Sequence, residues 1–241
     1  MRVVANLLTP NRGGRPGRKI TPKGVVIHWT GDTNKGADAM ANRHYFETHP
    51  QDKVSAHYVV DDKMAVMCIP ETEMAYHVYA ERYRYKSGVI DKLSAYPNGC
   101  TLAVEICVNS DGNLDMAIKN AVELVANICQ RHGWTSADLW RHYDITGKDC
   151  PRFCVDDTLA WAMIKQAALQ GWNKFKADVD LALQRLRSSE NGVRIVYGTK
   201  AAGGVLQEGK SWALVTDILT LLGYGWGWDG KTRTVTAIGP P

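Results

Sequence analysis

Two short runs of this chain are apolar at almost every position, and each encloses one ionisable side chain. "GVVIHWTG", Gly24–Gly31, carries His28, and "TLAVEICVN", Thr101–Asn109, carries Glu105. Apolar runs of this length, ended by turn residues, read as buried strands. His28 then lies at the C-terminal end of its strand. Glu105 lies inside one, where a lone carboxylate is costly unless it is paired or has a task.

The sequence around these runs supplies the elements to flank them. Lys35–Phe46 sets Ala37, Met40, Ala41 and Tyr45 at helical spacing, and Ser55–Pro70 reads as two strands joined at Asp61-Asp62-Lys63. The segment "LDMAIKNAVELVANICQRHG" carries Met116, Ile118, Ala121, Val122, Val125 and Ile128 as an apolar stripe and stops at Gly133. Asp157–Gly171 is a further helix. This order predicts an α/β (α+β) catalytic domain over residues 1–170, with a central mixed β-sheet flanked by helices. A linking helix is expected over 171–190, with Phe175, Val179, Leu183 and Leu186 along one face. From 191 to 241 the pattern changes to strand, turn, strand, helix, strand, tight turn, strand, which reads as a small α+β module. Its helix would carry Val215, Ile218, Leu219 and Leu222. Asp229-Gly230 suits a hairpin turn. Tyr224, Trp226 and Trp228 alternate along a strand and so share a face, either packed on the module's own helix or open to a ligand.

Composition sets the outer limits. A net charge of +4 and a pI of about 8.7 permit contact with anionic polymers without selecting one, and no nucleic-acid-binding motif is present. Part of that charge sits in "NRGGRPGRK", Asn11–Lys19, which reads as a flexible lead-in. No run reaches the ~18 apolar residues that span a bilayer, so no membrane insertion is expected. The apolar core of "MRVVANLLTPN" is too short for a signal peptide and breaks at Pro10, so synthesis in a cytoplasm without a Sec signal is expected. Cysteines at 68, 100, 107, 129, 150 and 154 have no regular spacing and read as thiols, with Cys107 and Cys129 as small buried apolar residues. No motif fixes an oligomeric state.

The chemistry concentrates in "RHYDITGKDCPRFC", Arg141–Cys154. His142 and Cys150 flank a Thr146-Gly147 turn, and both are preferred zinc donors. A catalytic zinc site takes three protein ligands and keeps one position open; His28 is the best third donor in the chain. Glu105 could act as a base, and Lys148 could stabilise a developing oxyanion. Cys154 reads as structural. A purely structural zinc site would instead need a fourth protein ligand.

In order, "VVIHWTG", "SAHYVVDD", "MAYHV", "VEICVN" and "HYDITGKDCP" resemble the zinc-dependent N-acetylmuramoyl-L-alanine amidases that share a fold with peptidoglycan recognition proteins. The likeness covers about residues 1–165 and is strongest to phage and prophage endolysins and related autolysins of spore-forming Gram-positive bacteria. It implies Zn²⁺ held by His28, His142 and Cys150, with Glu105 as base and Lys148 polarising the scissile carbonyl. Some relatives use a tyrosine in place of this glutamate; here no catalytic tyrosine is expected. His77 is expected to contact substrate, His57 to support packing near the cleft, and His44, His49 and His132 to lie at the surface. The implied function is hydrolysis of bacterial peptidoglycan at the bond between N-acetylmuramic acid and L-alanine, after release to the wall through a holin. The alternative is a non-catalytic peptidoglycan-binding protein on the same fold. Residues 191–241 resemble a copper amine oxidase N-terminal-like (stalk-like) module, although this segment has no His and no Cys. A cell-wall-binding or association role is expected for it.

Overall fold

The computed structural model describes residues 1–78, 85–155, 171–189, 194–197, 200–203, 225–229 and 234–238. The chain forms two compact units, Met1–Ala182 and Leu183–Pro241.

In the first unit the apolar runs become β2 (Val25–Trp29) and β5 (Leu102–Ile106) of a six-stranded mixed sheet. The other strands are β1 (Arg2–Ala5), β3 (Tyr58–Val60), β4 (Met64–Met67) and β6 (Leu139–Arg141), in the spatial order β1-β4-β3-β5-β2-β6. Only the β3–β4 hairpin pairs antiparallel. Its turn is the expected one: the buried Asp61 carboxylate accepts the Lys63 and Met64 amides at 2.7 and 2.8 Å. The edge strands β1 and β6 were not evident from the sequence, being short and, in β1, largely exposed.

Helix α3 (Leu114–His132) covers the sheet face that carries Tyr58 and Met67, packing on β3, β4 and β5. Asn113 caps its first turn, and Gly133, at φ 71°, ends it. Ile118, Ala121, Val122, Val125 and Ile128 are buried as expected; Met116, in the first turn, is exposed.

Helix α1 (Ala39–Thr48) lies on the opposite face. Here the expected stripe is wrong, because Met40 and Tyr45 are exposed and Phe46 is buried. The inward face runs Ala39, Asn42, Arg43, Phe46. Asn42 donates to the Ala37 and Asp38 carbonyls, and Arg43 to those of Asn6 and Leu7. Polar side chains that find partners, here backbone carbonyls together with Cys107 Sγ and the Glu47 carboxylate, can face inward without the desolvation cost that periodicity arguments assume.

The basic segment is also not a free lead-in. Arg15 makes a two-pronged ion pair with Glu73 at 2.8 and 3.1 Å and donates to the Leu8 carbonyl. Ser55 donates to the Gly14 carbonyl at 2.6 Å, and Ile20 and Met74 exchange backbone bonds with this stretch. Residues 12–20 are thereby strapped across 70–76.

Two short helices, α2 (Val89–Lys92) and α4 (His142–Thr146), complete the α1 side of the sheet around β2. Helix α5 (Gly171–Ser189) matches the expected linking helix and buries Phe175 and Val179; the boundary between the two units falls within it. The helix expected over 157–171 lies outside the described residues except at Gly171. Among the described residues no helix is long and apolar enough to cross a membrane.

The second unit contains β7 (Arg194–Tyr197), β8 (Lys200–Gly203), β9 (Gly225–Asp229) and β10 (Thr234–Ile238) in the order β8-β7-β10-β9. β9 and β10 pair antiparallel, as the hairpin reading required, and β10 runs parallel to β7. The expected helix around 215–222, Tyr224 and the turn at 230–233 lie outside the described residues.

Gly13 tests the strap. It sits at φ 46°, and an added Cβ would come within 2.4 Å of Pro50 backbone. Gly13→Ala should therefore destabilise the fold by about 2 kcal/mol, from overpacking and an unfavourable φ together, read as a lower urea midpoint at unchanged slope.

Candidate active site

Parallel pairing of β2 with β5 sets His28 directly beside Glu105, two steps along from the Val26–Ala103 pair. Both side chains emerge at the C-terminal end of the sheet, on the α1 face, between two buried apolar clusters. His142 arrives from β6 as the first residue of α4. Arg141 fixes that turn by pairing with Asp144 at 2.7 Å, while Asp144 accepts the Arg141 amide at 2.8 Å. Gly147, at φ 83°, ends the helix and turns the chain back. The Tyr143 amide then donates to the Cys150 carbonyl at 2.9 Å, which returns Cys150 to the His142 end of the turn.

The result is one buried constellation. His28, His142 and Cys150 are 1%, 3% and 2% exposed, and one donor atom of each lies within 4.8 Å of the others. Cys150 Sγ approaches His28 Nδ1 to 3.7 Å. The His28 and His142 rings meet edge-on with centroids 4.9 Å apart. Neither His142 nitrogen has a hydrogen-bond partner, and neither does Glu105 Oε2. Buried polar atoms left this way are rare, and each calls for an explanation such as an ion.

The donor set fits zinc. Bond lengths near 2.1 Å to nitrogen and 2.3 Å to sulfur place tetrahedral ligands roughly 3.5 Å apart, close to the Cys150–His28 separation. Ligation needs neutral imidazoles, and the site holds them neutral: burial pushes His142 down to about 3, helped by the Lys148 charge, and burial also lowers His28 strongly. Burial, then the neighbouring Glu105, pushes the Cys150 thiol up, while the Trp29 amide and Lys148 oppose them. A divalent cation would reverse that balance and favour the thiolate. Among the described residues no fourth His, Cys, Asp or Glu joins the three, so the group has the open form of a catalytic site and not the closed form of a structural one.

Glu105 keeps some exposure as a residue although Oε2 is shut away. Burial raises its pKa to about 8, with Lys148 pulling the other way. Lys148 is exposed at the rim, yet its charge is felt by His28, His142, Glu105 and Cys150.

Residues 17–153 match the family model described as N-acetylmuramoyl-L-alanine amidase. The chain belongs to that family. It is 34% identical over 227 residues to a probable N-acetylmuramoyl-L-alanine amidase of Bacillus licheniformis, covering 92% of this chain and 59% of that protein. It is 33% identical over 217 residues to the amidase CwlL of the same species, covering 88% and 56%. The chain thus spans under three fifths of the length of each of these two relatives. Among solved structures, the catalytic domain of XlyA superposes with a TM-score of 0.59 at 27% identity, over 74% of this chain and 99% of that domain.

The remaining histidines separate by their wiring. His57 is buried; its Nε2 donates to the Glu73 carbonyl at 2.8 Å and its Nδ1 accepts the Ala103 amide at 2.9 Å. It is a satisfied core residue, as expected. His44 and His49 are exposed, whereas His132 is partly covered and bonded to Glu71. His77 is buried with one ring nitrogen on His28 and the other on Thr101. Both its ring nitrogens are occupied by protein. Two residues escaped the sequence reading. Thr30, whose buried hydroxyl is unpartnered, was signalled only by its place two residues after His28, and Thr101 by nothing local. All six cysteines are free and buried.

Glu105 makes the pH response testable. The folded chain holds this proton more tightly than the unfolded chain does. Its contribution to stability is therefore complete below 4.5 and is lost as pH rises towards about 8. In chelator-treated protein, Glu105→Gln should gain urea stability relative to the wild type across that interval. The histidine contributions are common to both chains and drop out of the difference. A difference that stays flat with pH would show that the carboxyl is not held protonated.

Proposed function

We propose that this chain is a zinc-dependent peptidoglycan hydrolase that cleaves the amide between the lactyl group of N-acetylmuramic acid and L-alanine of the stem peptide. The observation that carries this reading is that both nitrogens of His142 are buried without a partner in a group with Cys150 and His28, while Glu105, paired with His28 across the strands, also leaves Oε2 unpartnered. His28, His142 and Cys150 would hold the ion. Bound there, zinc supplies Lewis acidity, lowering the pKa of water towards ~7 and polarising a carbonyl.

The chain's own groups provide the rest. Glu105 takes the proton from the attacking water and hands it to the leaving amine. A carboxyl whose pKa lies well above the usual range is suited to both halves of that transfer. Lys148, at the rim, offers its ammonium to the oxygen that becomes negative as the carbonyl is attacked. The substrate chemistry follows from the family, since relatives matched over most of this chain are named for that reaction. As an endolysin-type enzyme it would reach the wall through a separate holin-type pore.

Purified walls should lose turbidity with the chain and keep it when a chelator is added. New L-alanine amino termini should appear without new reducing sugars; the reverse pattern would mark a glycosidase. Cys150→Ser should lose zinc, since a neutral hydroxyl replaces a thiolate. Glu105→Gln should retain zinc while hydrolysis falls by ~10²–10⁴. Retention of both zinc and activity by Cys150→Ser would mean that the site is misassigned.

For the second unit we propose a tether. An insoluble polymer is hydrolysed faster when the catalytic unit is held near it, even by a module that never touches the scissile bond. The likeness to the probable amidase of Bacillus licheniformis covers 92% of this chain and so runs into the second unit. A chain ending after Arg187 should bind zinc and cut soluble muropeptides, but should sediment less with intact walls. Equal sedimentation by the two chains would exclude the tether, and a smaller oligomer on truncation would point to self-association.

A further inference from the structure

Two of the polar groups behind His28 form a chain whose direction can be read from its far end. The Thr101 hydroxyl donates to the Pro97 carbonyl at 2.7 Å. A carbonyl only accepts, so the Thr101 proton is committed to it, and towards His77 Nε2, at 3.2 Å, the hydroxyl oxygen must accept. His77 therefore carries its proton on Nε2. The ring is buried between an imidazole and a hydroxyl, with no carboxylate among its hydrogen bonds, so it carries a single proton. Nδ1 then presents a lone pair, and it lies 3.0 Å from His28 Nε2. That contact is satisfied in one way, with His28 donating from Nε2. The remaining nitrogen of His28, Nδ1, is thus left bare, and it is the atom that faces Cys150 Sγ.

We infer that His77 and Thr101 are positioning residues that lock His28 in the Nε2–H tautomer, so that its Nδ1 lone pair is aimed at the metal-binding constellation. Asn98 supports the arrangement from the same turn as Pro97: its Oδ1 accepts the His77 and Val78 amides at 3.2 and 2.8 Å and fixes the backbone from which the His77 ring projects. The relay thus spans β2, the stretch before residue 78 and the loop entering β5, and it ends on a backbone carbonyl that cannot reverse it. Metal-ligating histidines commonly depend on such an outer partner for their tautomer and orientation. What is particular here is that the partner is a second imidazole, whose own tautomer is set by a hydroxyl one step further out.

The inference rests on the metal-site reading above, and its test does not use hydrolysis. Full-length chain loaded with Zn²⁺ alone is titrated against a competing chelator, and long-range ¹H–¹⁵N spectra record which ring nitrogens carry protons. The expected spectrum has both His28 and His77 protonated on Nε2. Thr101→Val keeps the side-chain shape and removes the acceptor; His77→Ala removes the relay. Each should weaken zinc binding by about 10–100-fold in protein that remains folded by circular dichroism. His77→Asn, whose Oδ1 can stand where Nδ1 stood and accept from His28, should recover much of the affinity lost in His77→Ala. A purely structural role predicts lower stability with zinc affinity unchanged in the folded fraction, and that result would overturn the assignment. So would a spectrum with His77 protonated on Nδ1. If no zinc bound to the wild-type chain at all, the metal-site reading would fall, whereas tight binding insensitive to both substitutions would remove only the relay.

Discussion

The site depends on the register between β2 and β5. Parallel pairing of His28 with Glu105 puts an imidazole and a carboxylate on one face at the same height of the sheet. A slip of one residue in either strand would turn one of the two side chains towards α3. The register is held by the apolar residues around the pair. Val25, Val26 and Ile27 in β2 and Leu102, Ala103 and Val104 in β5 are fully buried, so neither strand has a polar face to offer in exchange. The same burial makes the two ionisable side chains costly, which confines them to the open C-terminal edge where the α4 loop can meet them.

A second layer of organisation lies in the strap and the segment beneath it. Glu73 acts twice: its carboxylate holds Arg15, and its carbonyl accepts from His57. His57 in turn receives the Ala103 amide of β5. Four residues along from Glu73, His77 reaches His28. The row of imidazoles His57, His77, His28 and His142 has successive centroids 6.3, 5.1 and 4.9 Å apart. It passes from a residue satisfied by backbone alone to one with no hydrogen-bond partner. Side chains of one type are graded along this row from scaffold to ligand by what their nitrogens meet.

Much of this was legible in the sequence, for identifiable reasons. β2, β5 and α3 have strong periodicity or continuous apolarity, and their turn and cap residues agree with it. The pairing of His142 with Cys150 was legible because a Gly turn separates them locally. What was not legible depends on partners remote in sequence. The inward face of α1 carries Asn42 and Arg43, which donate to the carbonyls of Ala37 and Asp38 and of Asn6 and Leu7. The segment 11–19 looks like a flexible tail until Glu73 is brought to Arg15. The motif around His77 did not report its wiring, because the partners of its ring nitrogens, His28 and Thr101, are remote in sequence. Sequence patterns report burial well, but they do not report which of two ring nitrogens is already taken.

The electrostatics of the constellation point in a single direction. Burial lowers the pKa of His28 and His142 and raises those of Glu105 and Cys150. Every buried member is thereby held in its neutral form, and Lys148 at the rim is the nearby fixed charge. Neutral groups of this kind gain little from one another: the Cys150 thiol and the His28 imidazole stand 3.7 Å apart. Their proximity is therefore not explained by mutual attraction. It is imposed by β2, β5 and the α4 loop, and a cation that drew the thiolate and the imidazole lone pairs together would compensate it. Because Cys150 and His28 are 122 residues apart in sequence, an ion held between them would also cross-link the last strand–loop unit of the domain to the centre of the sheet. Ligand binding to the folded state alone adds its binding free energy to stability. The groups that make the site chemically competent are then the same groups through which the ion stabilises the fold.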